Sequence, residues 1–428
     1  MNVRLPARPF STRQRGQALV FGIVLAMIAV ATVVAMYNTG QVATEKTKVV
    51  DAADAAAYSG ALYVARNLNF MAYTNRAMIA NHVAVGHFVS AVSWVRYLEN
   101  STDKLEDIGD ALFWVPYIGA WIERITDILA EIGATIEDVV EAFGEGYVPV
   151  VQTLNTGLSY AQIAAKAAMF NPGGLGDQVF PVAELMATVA RVYDPRIRIN
   201  DPQDLASVRG APAAVKIARE NSLLYQATER YTPSSDDGRM VRMVDASLGG
   251  SRQWIRGNRG WREGIEWFWY LEKTGTTRQV RNGDVLDWEA SDELTEHWFD
   301  FTKWEWKQRT WAEGAATAGE FAWGDYEPVP GYQDLAPGRI GTSDPLEFEV
   351  TAYAVLPMEA ARQFPLLGLE SDVESIAASA TARIYHRRPS EGFAPLAGTE
   401  YANLYNPFWE VSLTRGLSGF LAGVLGGP

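Results

Sequence analysis

Hydrophobic and polar positions divide the chain into a front part with helical periods and a back part with strand periods. The front opens on Ala18 to Met36, nineteen residues without a charge, in which only Gly22 and Thr32 interrupt the apolar run. That length matches the roughly 20 apolar residues a helix needs to cross a bilayer. A cleaved secretory signal would have a shorter apolar core, about 7 to 15 residues. Here the helical pattern resumes after Tyr37 to Gln41, so the pattern predicts a retained single-pass transmembrane helix over residues 16–37. Val42 to Arg66 then has no proline, eight alanines and one glycine, Gly60, which predicts a long helix continuing from the membrane. Within it, Asp51 and Asp54 stand among Ala52, Ala53, Ala55, Ala56 and Ala57, a small-residue surface that another helix can approach closely. Such a surface suits a stalk packed beside copies or partners, a homo-oligomer included, and equally a contact within the chain.

Further on, residues 121–143 place Ile125, Ile128, Leu129, Ile132, Ile136, Val139, Val140 and Phe143 on one helical stripe with acids on the rest. This predicts an acidic, core-facing helix, preceded at Ala111 to Ile122 by an apolar stretch too short to span. Helical signals return at Tyr160–Met169, Val182–Val192 and Ala213–Glu229. Thr232 to Gly238 is the best candidate boundary. Beyond it the period changes to two. Trp304-Glu305-Trp306-Lys307 alternates, and Phe348–Val355 and Ala377–Tyr385 read as strands, with a short helix at Met358–Gln363 between them. The expected class is therefore α+β, with antiparallel strands in the tryptophan-rich part. The expected organisation is a cytoplasmic segment 1–15, the membrane helix, a helical stalk and body 38–231, and a β-rich α+β domain 239–428.

Charge orients this plan. Residues 1–15 carry Arg4, Arg8, Arg13 and Arg15 and no acid, which keeps the N-terminus cytoplasmic by the positive-inside rule. The main body then lies on the periplasmic or extracellular side of the membrane. The net charge of the 428-residue chain is -14, and removing the +4 of residues 1–15 leaves -18 on that body. Such a surface repels phosphate backbones, so nucleic acid is not an expected partner. With no cysteine in the chain, disulfides and thiol chemistry are excluded, and stability must come from burial and assembly.

Two matches carry a family resemblance. Arg15-Gly16 leads straight into the apolar helix, and Asp51-Ala52-Ala53-Asp54-Ala55-Ala56-Ala57, ending in Gly60-Ala61, follows about 35 residues on. In order and separation these resemble the Tad (Flp) pilus-assembly proteins, specifically the TadG-like and TadE-like group, over the N-terminal sixty residues. Ala378 to Tyr385 followed by Asn403 to Trp409 is similar to the tail of larger TadE/TadG-like proteins. The resemblance implies a non-enzymatic inner-membrane component of a bacterial Tad-like pilus or related secretion apparatus, with pilins or assembly proteins as partners. Arg15, Gly16, Phe21, Asp51, Asp54 and Gly60 are then the residues expected to serve anchoring and assembly. One departure matters. Pilins are cut after a glycine and carry a glutamate five residues beyond the cut; here Gly16 is followed at that position by Phe21. This predicts no processing at Gly16 and shifts the expectation from fibre subunit to membrane-held assembly partner, with a minor pilin as the alternative.

Candidate chemistry is sparse. His82 and His87 are five apart and do not stack on one helical face, while His297 and His386 each lack a constellation. Val244-Asp245-Ala246-Ser247-Leu248-Gly249 offers only two ligands of the metal site that some TadG-like proteins carry in a von Willebrand A domain. With no Walker loop, nucleophile elbow or serine-lysine motif, neither enzymatic activity nor a cofactor is expected. Tryptophan is the remaining signal: ten of the fourteen fall between Trp254 and Trp323. Trp304 and Trp306 share one face of an alternating run, which suits a half-buried sheet. Their number also suits contact with a ligand or partner through Trp254, Trp267, Trp269, Trp304 and Trp306, a surface adhesin or glycan-binding module being the alternative function.

Overall fold

A computed structural model describes residues 15–104, 146–169, 181–235, 238–249, 259–282, 285–336, 346–358, 374–387 and 401–414. The first helix, α1 (Arg15–Asp103), runs unbroken for 89 residues. At 1.5 Å rise per residue it extends for about 130 Å. Its first turns, Ala18 to Met36, expose Leu19, Phe21, Ile23, Leu25, Ile28, Val33 and Met36, and among the described residues nothing covers them. This is the one described helix long and apolar enough to cross a membrane.

From Val49 onward α1 becomes the axis of the body. Buried positions recur every three or four residues at Val49, Ala52, Ala53, Ala56, Ala57, Ala61, Val64, Ala65, Leu68, Met71, Met78, Val85, Val89 and Val92. That spacing is one helical face. Around it lie α2 (Tyr147–Met169), α3 (Pro181–Tyr193), the short α4 (Pro202–Leu205), α5 (Ala211–Ala227) and α6 (Arg239–Gly249). Helix α4 is capped by Asp201, whose side chain accepts from the Gln203 N–H at 2.9 Å.

Among the described residues the strands form three antiparallel sheets. β1 (Arg198–Ile199), β8 (Glu347–Pro357), β9 (Ser375–His386) and β10 (Trp409–Thr414) lie in the order β1-β8-β9-β10. β2 (Thr228–Tyr231) pairs with β7 (Tyr332–Leu335), Thr228 opposite Leu335. The third sheet is a meander of β3 (Trp261–Ile265), β4 (Trp269–Asn282), β5 (Val285–Asp300) and β6 (Glu305–Thr317). Between β5 and β6 the register shifts at Leu294/Thr295, leaving Trp311 as the extra residue of a bulge.

The chain is α+β, as expected. The long helix expected from Val42 to Arg66 lies within α1. The helix expected at 160–169 begins earlier, at Tyr147, and the one expected to end at Glu229 stops at Ala227, because Thr228 and Glu229 already pair with Leu335 and Asp334. The two strands expected at 348–355 and 377–385 are β8 and β9. Trp304 does not begin a strand. It lies in the β5–β6 turn at φ 54, and both it and Trp306 face solvent, so they line no sheet core. The expected elements at 111–122, 121–143 and 359–363 lie outside the described residues, as does Trp254.

Two large cores stack along α1. The proximal one joins α1 from Val49 to Met71 to α3, the end of α2 and the sheet of β8, β9 and β10. The distal one joins Met78 to Val92 to α6, the start of α2, β5, β6 and the segment Tyr326–Tyr332. A smaller cluster of Tyr97, Trp269, Leu271, Leu294, Trp311 and Ala312 closes the far end.

Candidate functional site

Three places in the fold concentrate the residues singled out from sequence. The first is the Asp51–Gly60 block. Ala52, Ala53, Ala56 and Ala57 are buried in the proximal core, Asp54 is half-buried and Asp51 is exposed. A Cβ on Gly60 would lie 2.7 Å from the Met186 sulfur and 3.3 Å from Val350, so this glycine lets α3 and β8 approach α1. The small residues are thus spent within the chain. Burial, with the Asp51 charge second, raises the Asp54 carboxyl above its ordinary pKa. Arg15 and Gly16 form the first turn of α1, and Phe21 is exposed one turn further on.

The second is a buried polar seam between α1 and the meander sheet. Arg259 donates to both oxygens of Asp292, at 2.9 and 2.8 Å. Lys273 pairs with the same carboxylate, and the Ser93 hydroxyl donates to it at 2.8 Å. All three charged side chains are nearly or fully buried. Burial pulls the Lys273 ammonium below its ordinary pKa, against the pull of Asp292. Deeper along α1, the His82 Nδ1 lies 3.1 Å from the Tyr326 hydroxyl and its Nε2 lies 3.2 Å from the Gln279 carbonyl oxygen. The Trp288 indole donates to the His82 carbonyl at 2.9 Å. Complete burial pushes the His82 pKa down to about 3, so the ring is neutral and structural. Sequence reasoning passed over Asp292, Arg259 and Lys273. Each reads as an ordinary strand or loop charge until the fold joins positions far apart in the chain.

The third is an aromatic end to the meander. Trp267 in the β3–β4 turn and Trp304 in the β5–β6 turn are 70% and 79% exposed, with Ile265 (43%), Phe301 (56%) and Trp306 (45%) beside them. The two turns are neighbours, since the Phe299 N–H donates to the Phe268 carbonyl at 2.7 Å. Phe299 meets Phe301, Trp304 and Trp306 edge-on at 5.1, 5.9 and 5.7 Å, and Tyr270 stacks on His297 at 4.5 Å. Asp300 sets the turn by accepting from the Thr302 N–H at 2.9 Å and pairing with Lys307 at 2.8 Å. Trp269 is instead buried, its indole donating to Glu296 at 2.8 Å, and it anchors the end from inside. Of the predicted contact residues the fold therefore brings Trp267, Trp304 and Trp306 together at one surface and withdraws Trp269. Ile265 and Phe301 were missed, because an isolated apolar residue at a strand end or in a turn gives no periodic signal.

Among the described residues no group of three His, Asp or Glu is placed to hold a metal ion. Asp245 and Ser247 lie on α6, not after a strand, and Asp245 is contacted by the Gln279 amide at 3.4 Å.

The class these features define is a protein built on one long helix, apolar and uncovered at its start and carrying a folded body along the rest. Residues 16–65 match the family model for Flp pilus-assembly TadE/G-like proteins. The match covers the apolar segment and the alanine-aspartate block, and it ties the first half of α1 to Tad pilus assembly. No curated protein and no solved structure matches the chain.

Proposed function

We propose that the protein is a non-enzymatic component of a bacterial Tad/Flp-type pilus or related secretion apparatus. Ala18 to Met36 holds it in the inner membrane with the N-terminus cytoplasmic, and the periplasmic body contacts pilins or assembly proteins. The observation that carries this reading is the continuity of α1. The segment matching the TadE/G-like family leaves the uncovered apolar turns and enters the proximal core without a break, so anchor and body are one rigid element. A displacement at the membrane is thereby passed directly to the body.

Deleting the gene in the bacterium that encodes it is expected to abolish Tad pili, and the full chain is expected to restore them. Replacing residues 1–37 with a cleaved secretory signal should release the body from the membrane fraction and leave the strain bald. Restored piliation by that soluble form would overturn the anchoring role. With Phe21 where pilins place a glutamate, the protein is expected to keep its N-terminal segment. N-terminal sequencing that begins at Gln17 would instead make it a processed, pilin-like subunit.

A further inference from the structure

The aromatic end of the meander lies at a defined place. β5 runs alongside α1 in the same direction: Trp288 packs at His82 and Gly86, Asp292 bonds Ser93, and Leu294 clusters with Tyr97. β6 returns with the Glu313 carbonyl at Asn100 and the Ala315 carbonyl at Arg96. The Asp300–Trp304 turn therefore points along the axis of α1, away from the apolar segment. From Met36 to Tyr97 the helix rises about 90 Å. Six more strand residues from Leu294 to Asp300 add about 20 Å. The bilayer that holds Ala18 to Met36 is out of reach of this end.

The side chains presented there suit a lipid surface. They project from two adjacent turns, Trp267 from the first and Phe301 and Trp304 from the second. Among the described residues the indole N–H groups of Trp269, Trp288 and Trp311 find acceptors, and those of Trp267, Trp304 and Trp306 find none. Amphipathic rings with an unused donor settle at the headgroup level, and Phe301 and Ile265 between them have nothing to offer a sugar hydroxyl. The charges behind the tip are largely paired, Asp300 with Lys307 and Glu272 with Arg262 and His297. Glu266 and Glu305 add to the fields at Arg262 and Lys307, and with Glu263 they outnumber Lys303, an acidic balance that disfavours anionic lipid and leaves the rings to drive the contact.

We propose that the Trp267, Phe301 and Trp304 tip inserts into a zwitterionic lipid surface other than the bilayer that anchors α1, so that the protein bridges two membranes. This rests on the anchoring of α1 proposed above. The test uses the full chain reconstituted into donor vesicles, with protein-free acceptor vesicles of phosphatidylethanolamine and phosphatidylcholine carrying a fluorescent lipid. Capture of acceptors by sedimented donors is expected, insensitive to salt and weaker when acceptors contain phosphatidylglycerol. In W267S/F301S/W304S, three exposed positions outside every core, capture should fall at least tenfold with thermal unfolding unchanged. Brominated acceptor lipid should quench the tryptophan fluorescence of the wild type and not of the variant. Incorporation into donors without capture, or capture indifferent to the triple substitution, overturns the bridge and leaves the anchor standing. Failure to incorporate overturns both. Binding of the tip to peptidoglycan or to a second copy of the chain, with no lipid quenching, replaces the lipid surface with that partner.

Discussion

The two halves of the body meet α1 in opposite ways. The proximal half rests largely on alanine: Ala52, Ala53, Ala56, Ala57, Ala61 and Ala65, with Val64, Leu68 and Met71 further along, let β8, β9 and α3 lie close against the helix. The distal half meets the same helix through large rings and buried polar groups, with Trp288 against Gly86 and Ser93, Lys273, Arg259 and Asp292 in a charged seam. Dispersion in a small-residue contact is spread over many atoms and tolerates adjustment, whereas a buried ion network depends on every member being present. The proximal half thus behaves as a clamp on the stalk, and the distal half as a frame that holds the aromatic end in position.

The largest test of this contrast is Asp292→Ala, which leaves the Arg259 and Lys273 cations buried without their carboxylate. A loss of about 3 to 5 kcal/mol is expected. It should be confined to the meander, with hydrogen exchange accelerating in β4 and β5 while β8 and β9 keep their protection. Uniform loss in both halves would mean that they unfold as one unit.

A pH test probes the proximal half. Burial raises the Glu220 carboxyl to about 7, outweighing the Thr351 hydrogen bonds and Lys216 at 3.7 Å. The unfolded chain releases this proton near its ordinary 4.5. Between these values the folded state holds more protons, so stability falls as pH rises through the window. Glu220→Gln cannot titrate. Melting curves from pH 4.5 to 8 should show the variant escaping a decline of roughly 2 to 3 kcal/mol. Parallel pH profiles for the two proteins would show that Glu220 does not carry it. Asp334, raised to about 6 by burial, adds a decline of the same sign to both proteins.

The smallest effect compares two glycines on one helix. In Gly86→Ala the new Cβ meets the Trp288 ring at 2.7 Å, and that indole is held by its bond to His82. A cost of about 1 to 3 kcal/mol is expected. In Gly60→Ala the new Cβ meets the sulfur and Cγ of Met186 at 2.7 and 2.9 Å, an unbranched side chain that can rotate where a held indole cannot. Its displacement is offset by a helix-propensity gain of up to about 1 kcal/mol, leaving the melting temperature nearly unchanged. Equal losses at both sites would erase the distinction between the halves.

Residues that work locally were legible in sequence. The membrane-length apolar segment, the alanine-rich helix, β8, β9 and the α+β class each rest on composition and period within a single segment. The aromatic end was legible only in part. Trp304 and Trp306 alternate like sheet residues, and the turn that exposes them is made by Asp300 capping Thr302, a bond that a period-two pattern does not report. Trp269 lies two residues from Trp267 and differs because it opens β4 and packs with Leu271, Leu294 and Trp311, its indole bonding Glu296, while Trp267 stays in the turn.

By itself the sequence determined that a membrane-length apolar helix continues into a small-residue stalk, because both follow from side-chain character over consecutive residues. Tertiary structure alone decided that this stalk is the inside of the body, that Ser93, Arg259, Lys273 and Asp292 share one buried seam, and that the exposed tryptophans stand at the end remote from the apolar segment. Those facts depend on strand registers and helix contacts between residues as much as 340 positions apart, as where the Asn69 amide donates to the Trp409 carbonyl. Such pairings are selected by the joint burial of the whole chain and leave no mark in any one segment.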